Sequence, residues 1–218
     1  MNKRILLWGG LAAILAIAVG MGIYLASDDT PETTSADDII DAETQNMLQV
    51  QSEDWVKGNP DADVVVVKYS DFQCPACRQA AMMDASVEDE LGDDVAFVYR
   101  HFTLPNFEHS RTAAKYAEAA GKQGKFWEMH NMIFNYQERW SRGDANSIFE
   151  EMVEHLDLDR EQLQQDMESA EVGDRIDEHR SQGERLQVRG VPSLFINGEA
   201  QQYPGSPDEF RELLESYL

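Results

Sequence analysis

The sequence predicts an α/β domain carrying an all-helical insertion, preceded by one apolar helix long enough to span a membrane. Three observations predict it. Val64-Val65-Val66-Val67 is a continuous β-branched run, typical of a strand buried on both faces, and a helical stretch and a second apolar strand, Val95 to Tyr99, follow it. From Ser110 to about Arg185 apolar residues recur at helical spacing instead, before strand patterning returns at Ser193-Leu194-Phe195-Ile196. Ahead of all this, Ile5 to Ala26 contains no charged residue.

As a helix, the 5–26 stretch extends about 33 Å, enough for a hydrocarbon core of about 30 Å. Lys3 and Arg4 precede it and Asp28, Asp29 and Glu32 follow, so the positive-inside tendency leaves the amino end in the cytoplasm and exports the rest. A cleaved signal peptide is the alternative. The stretch is long for one, and Tyr24 stands where a small residue is expected before a cut after Ala26, which favours a retained anchor. No cysteine follows the apolar run, so lipid attachment of the amino terminus is not indicated. Ser27 to about Gln45 carries acids and no base, with Thr, Ser and Pro interspersed, and reads as a solvated tether. The expected plan is a cytoplasmic end and transmembrane anchor at 1–26, an acidic linker at 27–50, a domain built from 51–105 and 186–218, and a helical insertion at 106–185.

The formal charge of −23 becomes −25 once Lys3 and Arg4 are set aside. Such a surface repels phosphate backbones and anionic lipid heads, which excludes nucleic-acid binding.

Cys74-Pro75-Ala76-Cys77 lies between the first strand and the first helix, and it contains the only two cysteines of the 218 residues. Two intervening residues let both sulfurs sit in the first helical turn and form a reversible disulfide. Unpaired N–H groups and the partial positive charge of a helix N-terminus favour thiolate at Cys74, making it a nucleophile near neutral pH. Pro75 then occupies the first helical position, where a missing N–H costs nothing. A structural disulfide competes with this reading, but it would close one of the smallest loops possible and stabilise little. A zinc site would need four ligands, and His101, His109, His130, His155 and His179 lack ligand spacing. Two ordinary buried cysteines are the third alternative. No metal, nucleotide or flavin signature is visible, so no cofactor is expected. Export fits redox work, since disulfides persist outside the cytosol.

Within the helical stretch, Phe126, Met129, His130 and Ile133 form one apolar stripe and Phe149, Met152, Val153 and Leu156 another, both expected to be core. Asp159 followed by Gln162 resembles a helix start, and Gly121, Gly124, Gly143, Gly173 and Gly183 are expected to punctuate the segment. Asn197-Gly198 signals a hairpin whose second arm runs through Tyr203. Ser206-Pro207-Asp208-Glu209 combines an N-cap, a first-turn Pro and a capping-box acid for a closing helix faced by Phe210, Leu213, Leu214 and Tyr217.

Asp71-Phe72-Gln73-Cys74-Pro75-Ala76-Cys77, Gly124-Lys125-Phe126-Trp127-Glu128-Met129-His130 and the stretch Gly190 to Gly198, in this order, resemble the DsbA-like branch of the thioredoxin superfamily over about Trp55 to Leu218. The resemblance implies a thioredoxin-like fold with an inserted α-helical domain, here preceded by one N-terminal transmembrane helix. It implies a membrane-anchored thiol-disulfide oxidoreductase that oxidises exported client proteins with free thiols, its catalytic domain facing the extracytoplasmic side. Catalysis would fall to Cys74 and Cys77, supported by Pro75 and Ala76. A cis Pro192 would lie against the pair, with the backbone of Val191 meeting client peptide. Re-oxidation would come from a quinone-linked membrane partner of the DsbB or vitamin-K-epoxide-reductase kind. A disulfide reductase or isomerase of the same fold is the alternative, and a tethered binding or chaperone module a further one. Two positions depart from the family pattern: Ala76 stands where a histidine is frequent, and Lys68 where many relatives bury an acid. Lys68 would favour thiolate if it faced the sulfurs and do nothing if it faced outward.

Overall fold

The computed structural model describes residues 43–218, so the expected anchor at 5–26 and residues 27–42 of the acidic linker lie outside the described residues. Among the described residues no helix is long and apolar enough to cross a membrane. Residues 43–50 of the expected linker are described, and there Met47 and Leu48 are buried, so packed structure begins ahead of residue 51.

The element order is β1 (Val56–Gly58), β2 (Val64–Ser70), α1 (Pro75–Leu91), β3 (Val95–His101), α2 (Ser110–Lys122), α3 (Phe126–Asn135), α4 (Gln137–Trp140), α5 (Ala145–His155), α6 (Arg160–Glu168), α7 (Ala170–Arg185), β4 (Ser193–Ile196), β5 (Glu199–Gln201) and α8 (Pro207–Glu215). The strands form one sheet in the order β1-β3-β2-β4-β5, with β2 and β3 parallel and the other pairs antiparallel. The β2 and β3 strands are buried along their whole length, as continuous apolar runs in a sheet covered on both faces should be. Val64 and Val66 face a cluster completed by Val87 of α1 and by Phe210 and Leu214 of α8. Val65 and Val67 face the opposite way, onto Leu48, Phe102, Val188 and Phe195. A third cluster joins the helical segment, including Phe126, Met129, Ile133, Phe149, Met152 and Val153, to Phe72 and both cysteines. The two expected stripes are therefore core, and the cysteines sit on the seam between the sheet and the helices.

Caps confirm several helix starts: Asp159 accepts from Gln162 N at 2.9 Å, and Ser206 Oγ accepts from Glu209 N at 3.2 Å. Asn197 and Gly198 both adopt positive φ, the conformation that a tight hairpin turn needs.

The structure departs from the sequence reading at several places. Lys57-Gly58-Asn59-Pro60 has the composition of a turn, yet Lys57 and Gly58 belong to the edge strand β1. Gly58 has φ +91°, and a Cβ there would meet Val95 O at 2.3 Å, so glycine is what lets the strand close on its neighbour. The second hairpin arm ends at Gln201, because Tyr203 turns inward to donate its hydroxyl to Asp84. Gly121, Gly173 and Gly183 interrupt nothing and lie inside α2 and α7. A Cβ on Gly183 would sit 2.7 Å from the ring of Phe102, so this glycine serves close packing of α7 on the sheet.

Arg100, fully buried on β3, ties the amino-terminal segment to the sheet. It meets both oxygens of Asp54 at 3.1 and 2.7 Å and donates to the carbonyls of Gln49, at 2.9 Å, and Met47. Removing one partner of such a pair strands a buried charge. Arg100→Ala is expected to cost about 3–5 kcal/mol of unfolding free energy in urea titration and to expose residues 47–54 to limited proteolysis.

Candidate active site

The chain leaves β2 at Ser70 and must turn before α1 begins. Asp71 makes that turn: its Oδ1 accepts from Gln73 N at 2.7 Å, and its carbonyl accepts from Cys74 N at 3.1 Å. Cys74 then stands at the N-cap with extended backbone, Pro75 opens the helix, and Cys77 falls in the first turn. Gln137 of α4 clamps this junction from the helical side, donating to Phe72 O at 2.7 Å and Cys74 O at 2.9 Å. Arg78 donates to Phe134 O at 3.1 Å, adding a second tie to the helical segment.

The two sulfurs occupy unlike environments. Cys74 is 7% exposed and Cys77 1%. A hydrogen bond from the Cys77 thiol and backbone N–H groups of Cys77 and Ala76 stabilise a Cys74 thiolate against the cost of partial burial, lowering the thiol from 9.0 to about 6. Burial first, then the bond and charge shared with Cys74, push the Cys77 thiol far above its ordinary range. The arrangement supplies one nucleophile at neutral pH and one sulfur held as thiol.

The Val191–Pro192 peptide bond is cis, the form that the resemblance implies. The Val191 carbonyl faces the pair and accepts from the Cys74 thiol at 3.8 Å. Pro75 and Ala76 line the helix start, Ala76 contributing its N–H rather than a side chain.

Lys68 points neither at the sulfurs nor outward. Its ammonium meets Asp84 at 2.9 Å and Glu88 at 3.2 Å, both on α1. Burial opposes the charge, but the two carboxylates outweigh it and hold Lys68 well above its ordinary value. Burial among Phe72, Tyr99, Phe126, Trp127 and Phe134 lowers His130 to about 3, so its ring is neutral.

His101, Glu118 and His179 bring three ligand-type atoms within 4.8 Å of one another. Their lone pairs are already engaged. His179 Nδ1 accepts from His101 N at 3.3 Å, and Glu118 meets His101 Nε2 at 2.7 Å, Trp55 Nε1 at 2.9 Å and Arg175 at 3.4 Å. The cluster joins α2, α7 and β3 rather than offering a vacant ligand set.

Asp71, Gln137 and Ser110 were not singled out as site residues from sequence. An Asx turn just before Cys74 is the one local signal that could have found Asp71, and Gln137 has none, since its partners lie over sixty residues away.

The sequence model of the Thioredoxin family matches residues 51–216. The Na(+)/H(+) antiporter NhaA 1 of Mycolicibacterium gilvum (strain PYR-GCK) is 32% identical over 213 residues, covering 94% of this chain and 32% of that protein. The chain thus spans about a third of the length of that curated relative. A thioredoxin-like oxidoreductase from Silicibacter pomeroyi DSS-3 superposes with a TM-score of 0.66 at 27% identity, covering 78% of this chain and 95% of that one. The thiol-disulfide exchange protein α-DsbA2 from Wolbachia pipientis gives a TM-score of 0.70 at 16% identity over 82% of this chain and 97% of its own, a likeness of fold.

With Cys74 near 6, the fraction ionised rises as pH climbs through that value, whereas an ordinary cysteine ionises near 8.5. Iodoacetamide labelling of the reduced protein is expected to follow a midpoint near pH 6 and to modify Cys74 alone. A midpoint near 8.5 would contradict the geometry.

Proposed function

The chain belongs to the thioredoxin family, and from that premise we propose that it is a membrane-anchored thiol-disulfide oxidoreductase that introduces disulfide bonds into exported proteins. The observation carrying this reading is the asymmetry of the pair, with Cys74 lowered to about 6 at a helix start and Cys77 buried as thiol behind it. In the oxidised enzyme a client thiolate attacks Cys74 Sγ. The client–Cys74 bond forms, the Cys74–Cys77 bond breaks, and the departing Cys77 sulfur takes up a proton because burial disfavours its anion. A second client thiolate then attacks the client sulfur and expels Cys74, a good leaving group because its thiolate is stabilised. The client gains a disulfide, and the enzyme is left as the dithiol, two electrons richer. Val191 and Pro192 would border the client segment, the Val191 carbonyl lying beside Cys74. The low basicity of Cys74 supports an oxidase, since stabilising the reduced form raises the potential.

The domain plan belongs to the same proposal: anchor at 5–26, tether through the acidic linker, a thioredoxin-like domain from 51–105 and 186–218, and a helical insertion at 106–185. Support for the anchor is the uncharged run with Lys3 and Arg4 ahead of it. A quinone-linked membrane protein of the DsbB or vitamin-K-epoxide-reductase kind would return the pair to the disulfide.

Cys74→Ser is expected to abolish oxidation of a reduced, unfolded client, while Cys77→Ser accumulates a mixed disulfide through Cys74 on non-reducing gels. In a glutathione redox titration the wild-type pair is expected well above about −270 mV, and a value at or below that of thioredoxin would reject the oxidase direction.

A further inference from the structure

Asp71 is 1% exposed, lies three residues before Cys74, and is used by none of the steps above. Its carboxylate accepts three hydrogen bonds: from Gln73 N at 2.7 Å, from Ser110 Oγ at 2.5 Å and from Leu104 N at 2.7 Å. All three partners donate, a set that suits the anion. The backbone N–H of the same residue reaches Cys77 Sγ at 3.5 Å, so the residue abuts the pair while its side chain ties the turn to the loop after β3 and to α2. We propose that Asp71 is a positioning residue that sets the redox poise of Cys74–Cys77, its buried negative charge opposing the dithiol form that the helix N-terminus favours. This rests on the redox reading of the pair.

Reducing the disulfide places negative charge on Cys74, and a second fixed negative charge in a poorly screened interior raises the energy of that state. Accordingly the charge of Asp71 works to raise Cys74, against the hydrogen bond from Cys77 and the N–H groups of Cys77 and Ala76. Burial pushes the Asp71 carboxyl up, while Ser110, Leu104 and Gln73 oppose that by bonding the anion. The other titratable groups facing it come from β3: Tyr99, whose hydroxyl the Asp71 charge pushes up, and His101, which favours the anion. The turn before Cys74 is therefore organised by a group that makes the protein a milder oxidant than its helix start alone would.

The test equilibrates reduced and oxidised glutathione with wild type, Asp71→Asn and Ser110→Ala, where enzyme disulfide plus two glutathione thiols gives enzyme dithiol plus glutathione disulfide. Asp71→Asn removes the charge at constant size, and its equilibrium is expected to move toward the dithiol by about fivefold or more, with the Cys74 labelling midpoint falling below that of wild type. Ser110→Ala removes one bond to the anion and so lets burial push the Asp71 carboxyl further up; its equilibrium is expected to move in the same direction as that of Asp71→Asn, by a smaller amount. Unchanged equilibrium and midpoint in folded Asp71→Asn would overturn the proposal. So would a Ser110→Ala equilibrium that moves away from dithiol, which stands as evidence even where Asp71→Asn folds poorly. Wild type that forms no disulfide in any glutathione buffer would instead defeat the redox reading, so the two failures are distinguishable.

Discussion

The parallel pairing of β2 with β3 constrains the rest of the molecule. Ser70 stands beside His101 at the same end of the sheet, so the chain leaving β2 has to turn, descend through α1 and re-enter at Val95. The turn falls next to a central strand, walled by sheet on one side and helices on the other, where backbone polar groups need partners. Asp71, Gln73 and Gln137 supply them. What stays available is the set of N–H groups that open α1, and after the Cys77 thiol those of Cys77 and Ala76 stabilise charge on Cys74.

Several buried charges are met by opposite charges, whereas Asp71 is held by neutral donors. Arg100 is neutralised by Asp54, Lys68 by Asp84 and Glu88, and Glu118 by Arg175 and the donors around it. Each pair links elements far apart in sequence. Lys68 of β2 meets two acids supplied by α1 from the other side of the contact. The cation is held among them, so its charge is spent locally and the pair is governed by groups nearer to it.

What sequence revealed, and what it concealed, follows the range of the interactions. The β2 run, the helix start at Pro75, the Asn197-Gly198 turn and the Ser206 cap are decided by neighbours within a few residues, and their outlines were readable. The β1 strand was not, because three residues at an edge carry no periodicity and Gly58 looks like a turn until the carbonyl of Val95 is seen against it. Gly121 and Gly183 misled for the same reason, since the side chains they make room for, Trp55 and Phe102, come from distant segments. The direction of Lys68 was undecidable because its partners lie one helix away. In the site itself the cysteines and Val191-Pro192 were visible as residue types, whereas the clamp by Gln137 had no local signature.

One environment is divided between two sulfurs. Had both been at the helix start and open to solvent, both would ionise and repel each other, leaving no sulfur in reserve. With both buried, neither would ionise at neutral pH. One sulfur at the N-cap and one in the first turn resolves this: the outer is charged by N–H groups and by the inner thiol, and the inner is kept protonated by burial and by that same charge. In the proposed reaction the spacing of two residues would set order as well as proximity: Cys74 would meet the client thiol, and Cys77 would act only once Cys74 is engaged and its charge removed.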